Sequence, residues 1–204
     1  MQLFFAPGTV AVAAALALQE AGLDHELTKV DFKSAEQTKP DYLKINPKGR
    51  VPALATEGTV ITETGAILDY IAAKAGSLLP DTALEAAKIR SVMYYLASTA
   101  HVNHAHKMRG PRWADRPESH ADMAAKVPEN MTASAQFIED ECLTGPVILG
   151  DTVTIGDCYL FAVCNWLPGD DVDMAPFPKI RAFMDAMRAR PSVQAIRDAG
   201  VLPA

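Results

Sequence analysis

The residues able to do chemistry are few, and they cluster. The stretch FFAPGTVAVAA, residues 4–14, reads as the end of a strand, a Pro7-Gly8 turn and the first turn of an apolar helix. Many enzymes place a reactive group at such a junction; here it offers one hydroxyl, Thr9, and then Val10 and Ala11. A helix start also leaves backbone N–H groups without intrahelical partners. A second set is HVNHAHK, residues 101–107, in which His101 and His104 are three apart and share a helix face while His106 points elsewhere. Imidazoles can hydrogen-bond, move protons or hold a metal. No neighbouring Cys or carboxylate completes a ligand set, so no metal is expected. Directly after it, KMRGPRWADRP at 107–117 brings together Arg109, Arg112 and Trp113. Elsewhere, Val51-Pro52 stands just before a strand, and Glu63-Thr64 opens a helix whose free N–H groups suit an anion.

The elements that must position these groups follow from the hydrophobic pattern. Residues 2–5 form a short apolar strand, 10–21 an alanine- and leucine-rich helix stopped by Gly22, and HELTKVDF at 25–32 an alternating strand. VPALA and TVIT, separated by Glu57-Gly58, predict a hairpin. From Glu63 the spacing turns helical, with Ile67, Leu68 and Ile71 on one face. The order is β-α-β-(α)-β-β-α, a mixed sheet with helices. KAGSLLPDT then breaks the pattern at Gly76 and Pro80, which divides the chain into a domain at 1–77 and another at 84–204. Everything after the break is helical: 84–108, a GPRWADRP loop, 119–142, the apolar TIGDCYLFAVCNWL, and two shorter helices, the last opening at Pro191. Thr154 followed three residues later by Asp157 predicts a capping box, with aspartate in place of the usual Glu or Gln.

Composition narrows the function. The 204 residues are 49% hydrophobic and carry a formal net charge of −6 with no basic run. That argues against nucleic acid and anionic membrane surfaces as partners, although a small anionic ligand needs only a local cluster of donors. The longest apolar run, 10–18, is too short to span a bilayer. MQLFFAPG lacks the features of a signal peptide, so a cytoplasmic protein is expected. Cys142, Cys158 and Cys164 form no C-x-x-C and read as buried free thiols in a reducing compartment.

At this point the chain resembles a known family. NPKGRVPAL at 46–54, TETGAILDYI at 62–71 and TIGDCYLF at 154–161, in that order and at those separations, are similar to motifs of the cytosolic glutathione transferases, and the match covers essentially the whole chain. The MQLFFAPG opening is closest to the bacterial Beta class and its relatives. The resemblance implies an α/β thioredoxin-like N-terminal domain followed by an all-α C-terminal domain. It also implies a homodimer, and glutathione as co-substrate for attack on an electrophilic small molecule. It implies a cis bond before Pro52 and a cysteinyl backbone paired with Val51. Glu63 and Thr64 would take the γ-glutamyl end, and one or two of Lys33, Lys48 and Arg50 the glycyl carboxylate. Arg109, Arg112 and Trp113 suit an anionic or aromatic second substrate, or equally an interface or a connection between helices.

The family's activating side chain is missing. Beta-class members place Cys two residues after Pro-Gly, commonly followed by Ser, and those positions are Val10 and Ala11; the Tyr often found in strand 1 is Phe5. Two replacements remain. Thr9, with the backbone N–H groups beside it, can stabilise a thiolate at a helix N-terminus. His104 is the histidine closest by spacing to the one Beta-class members carry on the first long helix of the helical domain. Two other readings stay open: a non-catalytic binding or interaction module of the same fold, and a glutathione-dependent disulfide or peroxide reductase.

Overall fold

Four short strands build one sheet. In a computed structural model describing residues 1–203, β1 (Gln2–Phe5), β2 (Glu26–Lys29), β3 (Ala53–Thr56) and β4 (Thr59–Thr62) lie in the order β2-β1-β3-β4. β1 runs parallel to β2, so the chain crosses over between them through α1 (Ala11–Glu20); β3 and β4 form the hairpin expected at Glu57-Gly58. Leu3 sits opposite Leu27 on one side and Leu54 on the other. β2 is shorter than the alternation of 25–32 suggests. Val30 N–H donates to Phe5 O at 2.7 Å, and the chain then turns where the Asp31 carboxylate accepts from Lys33 N–H at 2.9 Å.

α1 is apolar all round because it is buried all round. Ala11 through Leu18 are inaccessible, and the helix packs against α3 (Thr64–Ala75), α7 (Ile155–Cys164) and α9 (Pro191–Asp198). Alanine on every face allows that close approach. α7, the centre of the helical part, is buried along its whole length. Its capping box forms: Asp157 Oδ2 accepts from Thr154 N–H at 2.8 Å and from the Thr154 hydroxyl at 2.7 Å. The other oxygen, Oδ1, accepts from Ile148 N–H at 2.8 Å. α8 (Pro178–Arg188) is capped from a distance, by the buried Glu139 carboxylate on Lys179 and Ile180 N–H at 2.8 and 2.9 Å.

The segment read as one helix at 84–108 is divided. α4 (Ala83–Tyr95) passes into a π-helical turn, Leu96–Ala100, before α5 (His101–Ala105); His101 N–H donates to Leu96 O, five residues back. Such turns re-aim the side chains that follow them. α6 (Pro117–Phe137) starts two residues before the expected 119 because Pro117 is well placed in a first helical turn, and it closes in a second π turn, Ile138–Cys142. The remaining short helix, α2 (Pro40–Ile45), precedes the loop to β3. Cys142, Cys158 and Cys164 are buried and unpaired, and burial pushes all three thiols up. No helix among the described residues is long and apolar enough to cross a membrane.

Candidate active site

A cavity of about 950 Å³ lies between the carboxyl end of the sheet and the α4–α5 face, and it collects most of the residues singled out above. Its floor is the β1–α1 junction. Gly8, at φ +70°, makes the turn; its N–H donates to Val201 O at 3.0 Å and its carbonyl accepts from Trp166 Nε1 at 3.0 Å. The Thr9 hydroxyl donates to Ala6 O at 2.7 Å and accepts a long bond from Ala11 N–H at 3.4 Å. Val12 and Ala13 N–H donate to Thr9 O and Val10 O, both at 3.0 Å. Among the described residues that leaves Val10 N–H with no partner, at a helix start no side chain of Val10 caps.

One wall is the loop before β3. Asn46 is buried, and its side chain holds both ends of a tight turn. Nδ2 donates to Arg50 O at 2.7 Å, and Oδ1 accepts from Lys48 N–H at 3.1 Å. Tyr42 O–H also donates to Arg50 O, at 2.8 Å; burial raises its pKa to about 12, so it remains a donor at any physiological pH. Gly49 has φ +61°, and a Cβ there would stand 3.0 Å from Gln37 O. The loop thus delivers Val51 to the cavity with its peptide N–H and C=O unpaired among the described residues, followed by a cis bond to Pro52.

Beside it, Glu63 has φ +73°, unusual for a residue with a Cβ, and it starts α3 without capping it. Its carboxylate meets Lys48 Nζ, which also donates to Thr62 Oγ1 at 2.7 Å. Thr64 is buried at the first position of the helix, with Gly65 and Ala66 following along the cavity wall.

The opposite wall carries the histidines. His104 Nδ1 lies 2.6 Å from the Asp170 carboxylate, which is almost wholly buried, and its ring stacks on Trp166 at 4.2 Å and 13°. Lys107 supports the same aspartate at 3.6 Å. His101 lies 5.0 Å from Trp166 ring to ring and makes no hydrogen bond among the described residues. Burial, then the nearby His104, Arg112 and Arg50, lower its pKa to about 4, so the ring is neutral at pH 7. His106 turns away onto Trp113. Among the described residues no three His, Cys, Asp or Glu side chains converge as a metal site requires.

Comparison with known proteins assigns this architecture. Residues 1–73 match the glutathione S-transferase N-terminal domain, and residues 90–191 match the C-terminal domain. Glutathione S-transferase GstA of Escherichia coli O157:H7 is 31% identical over 199 residues, spanning 95% of this chain and 96% of the relative. The chain belongs to the glutathione S-transferase family. A glutathione transferase homolog from Sulfitobacter, solved with bound glutathione, is 58% identical with a TM-score of 0.96 over 98% of both chains. A bacterial beta class transferase of Sphingomonas chungbukensis is 30% identical at a TM-score of 0.84, again over 98% of each. The Disulfide-bond oxidoreductase YfcG of Escherichia coli K12 is 26% identical over 207 residues, spanning 94% of this chain and 92% of that one.

Of the residues considered for this transferase from sequence, Thr9, Arg50, Val51, Pro52, Glu63, Thr64 and His104 line one cavity. Lys33 lies outside that lining, exposed in the turn after β2; Lys48 occupies the wall instead. Sequence reasoning missed Asn46 and Tyr42 as loop braces, and it missed Trp166 and Asp170. Trp166 carried a signal, since a half-buried indole N–H needs an acceptor. Asp170 carried none: an aspartate after Pro-Gly looks like any exposed turn.

Proposed function

We propose that this glutathione transferase activates the thiol of glutathione with backbone rather than a side chain. The observation that carries the reading is Val10 N–H, unpartnered at the start of α1, on a residue that lines the same cavity as Val51 and Thr64. The cysteinyl backbone pairs with Val51 N–H and C=O. The γ-glutamyl carboxylate meets the Thr64 hydroxyl and the first N–H groups of α3, and Glu63 exchanges Lys48 for the ligand's ammonium. Arg50 takes the glycyl carboxylate. The sulfur then lies at the start of α1, where a thiolate is favoured. The thiol proton leaves to water. The sulfur's electron pair forms the C–S bond, and the leaving group departs with the pair of the bond it breaks. We assign His104, held by Asp170 and Trp166, to orient the electrophile. Residues 1–77 hold glutathione and 84–204 the electrophile, in a cytoplasmic homodimer.

The experiment is the ultraviolet thiolate absorbance of bound glutathione, titrated with pH. In Thr9→Val the thiol pKa should move by less than about 0.5 unit, because the hydroxyl hydrogen is already committed to Ala6 O. A rise of about one to two units would assign the activation to the Thr9 hydroxyl instead. No thiolate near neutral pH in the wild type would make the protein a non-catalytic binder. A second reading, disulfide reduction through glutathione, is favoured by the likeness to YfcG and by the absence of any cysteine from the cavity lining. Turnover of a mixed glutathione disulfide exceeding that of carbon electrophiles would select it.

A further inference from the structure

The mouth of the cleft is built against the charge of the molecule. The chain as a whole is at −6, yet among the described residues the cavity lining holds Lys48, Arg50, Arg109 and Arg112 against two side-chain carboxylates, Glu63 and Asp69. Both carboxylates are engaged: Glu63 with Lys48, and Asp69 with Arg90 at 2.9 Å. Arg50, Arg109 and Arg112 have no carboxylate within salt-bridge distance among the described residues. Burial, then Arg50 and Arg109, hold the Arg112 guanidinium below its usual range, so the three cations feel one another. Like charges gathered in a concave, partly desolvated site are costly until an anion joins them.

Glutathione does not account for all three. Of its two carboxylates, one goes to the start of α3 and the other to Arg50 in the reading above. Arg109 and Arg112 stand across the cleft, on the segment after α5. The same lining holds accessible aromatic side chains, Tyr94 at 62% exposed and Trp113 at 45%, and Arg109 lies 6.0 Å above the Phe32 ring. Guanidinium forks match a carboxylate in two-point contact, and aromatic walls take a flat conjugated body. We propose that Arg109 and Arg112 form an anion subsite for the second substrate, which is a conjugated carboxylate, aromatic or unsaturated. The proposal rests on glutathione occupying the Val51 and Glu63 side of the cleft.

Its test separates the two. Titration calorimetry on the full chain, with and without saturating glutathione, would use 3,5-dinitrobenzoate and 3,5-dinitrobenzamide. The pair lacks a leaving group and differs mainly in charge. With glutathione present, the benzoate should bind about tenfold tighter than the amide or better. R109Q/R112Q should erase that preference while leaving glutathione affinity within about twofold, and R109K/R112K should restore part of it. Equal binding of benzoate and amide by the wild type overturns the proposal. So does a preference that survives in R109Q/R112Q. Loss of benzoate binding once glutathione is present does the same, since it assigns these arginines to glutathione itself. A wild type that fails to bind glutathione overturns the reading of the preceding subsection, and benzoate preference in the free chain then decides the anion subsite by itself.

Discussion

His101 and His104 sit one turn apart, yet their surroundings separate them. His104 has a buried carboxylate on Nδ1 and an indole under its ring. His101 shares the indole but has no carboxylate, and burial first, then neighbouring positive groups, brings its pKa down to about 4 from 6.5. Between those values the unfolded chain takes up a proton at this site and the folded chain does not. The stabilising contribution is therefore complete above about pH 6.5 and is lost as pH falls through about 4. Urea denaturation at pH 7.5 and at pH 5 should show wild type losing more stability than His101→Gln, by on the order of 1–2 kcal/mol. Equal losses in the two proteins would mean that His101 is free to charge in the folded state.

Among the elements, α7 starts on a single buried side chain, Asp157. Asp157 is wholly buried, and burial raises its pKa despite the bonds it accepts from Ile148 and Thr154. Asp157→Ala would leave the N–H groups of Ile148 and Thr154 and the Thr154 hydroxyl without an acceptor. At about 1–3 kcal/mol for each stranded buried group, a loss of roughly 3 kcal/mol or more is expected in denaturant titrations. Thr154→Ser, which keeps the hydroxyl, should cost far less. A loss under about 1 kcal/mol for Asp157→Ala would show that the helix start is held by packing alone.

At the scale of the molecule, the β1–α1 junction is held by parts of the chain 158 and 193 positions away. Trp166 Nε1 holds the Gly8 carbonyl, and the Val201 carbonyl holds the Gly8 N–H. Gly8 also needs its hydrogen side chain, because a Cβ would stand 3.2 Å from Pro203 at φ +70°. The floor of the cleft is therefore set by the helical part, and the indole that sets it also carries the two histidines. Trp166→Phe keeps the aromatic surface and removes the N–H donor. It should lower stability by about 1 kcal/mol and raise the thiol pKa of bound glutathione, because the start of α1 loses a restraint. An unchanged thiol pKa, with amide exchange at residues 8–10 as slow as in wild type, would show the bond to be dispensable.

What the sequence determined by itself was whatever short-range rules govern. The β3–β4 hairpin follows from a Glu-Gly turn between apolar runs, and the α7 cap from a Thr and an Asp three apart. The helix α1 follows from an unbroken alanine- and leucine-rich run stopped by Gly22, and three ordered motifs were enough for the family. Most of the candidate residues could also be listed, because their types and order carry the chemistry. Tertiary structure decided how each one is used. Whether the Thr9 hydroxyl is a free donor depends on the Ala6 carbonyl, and whether His104 Nδ1 is free depends on Asp170, 66 positions away. The π turn before His101 and the positive φ of Glu63 left no mark in residue type, since packing around the cleft imposes them. Periodicity reports which face of an element is buried, not what lies opposite it, and in this cleft the opposing groups are what separate a structural polar residue from a reactive one.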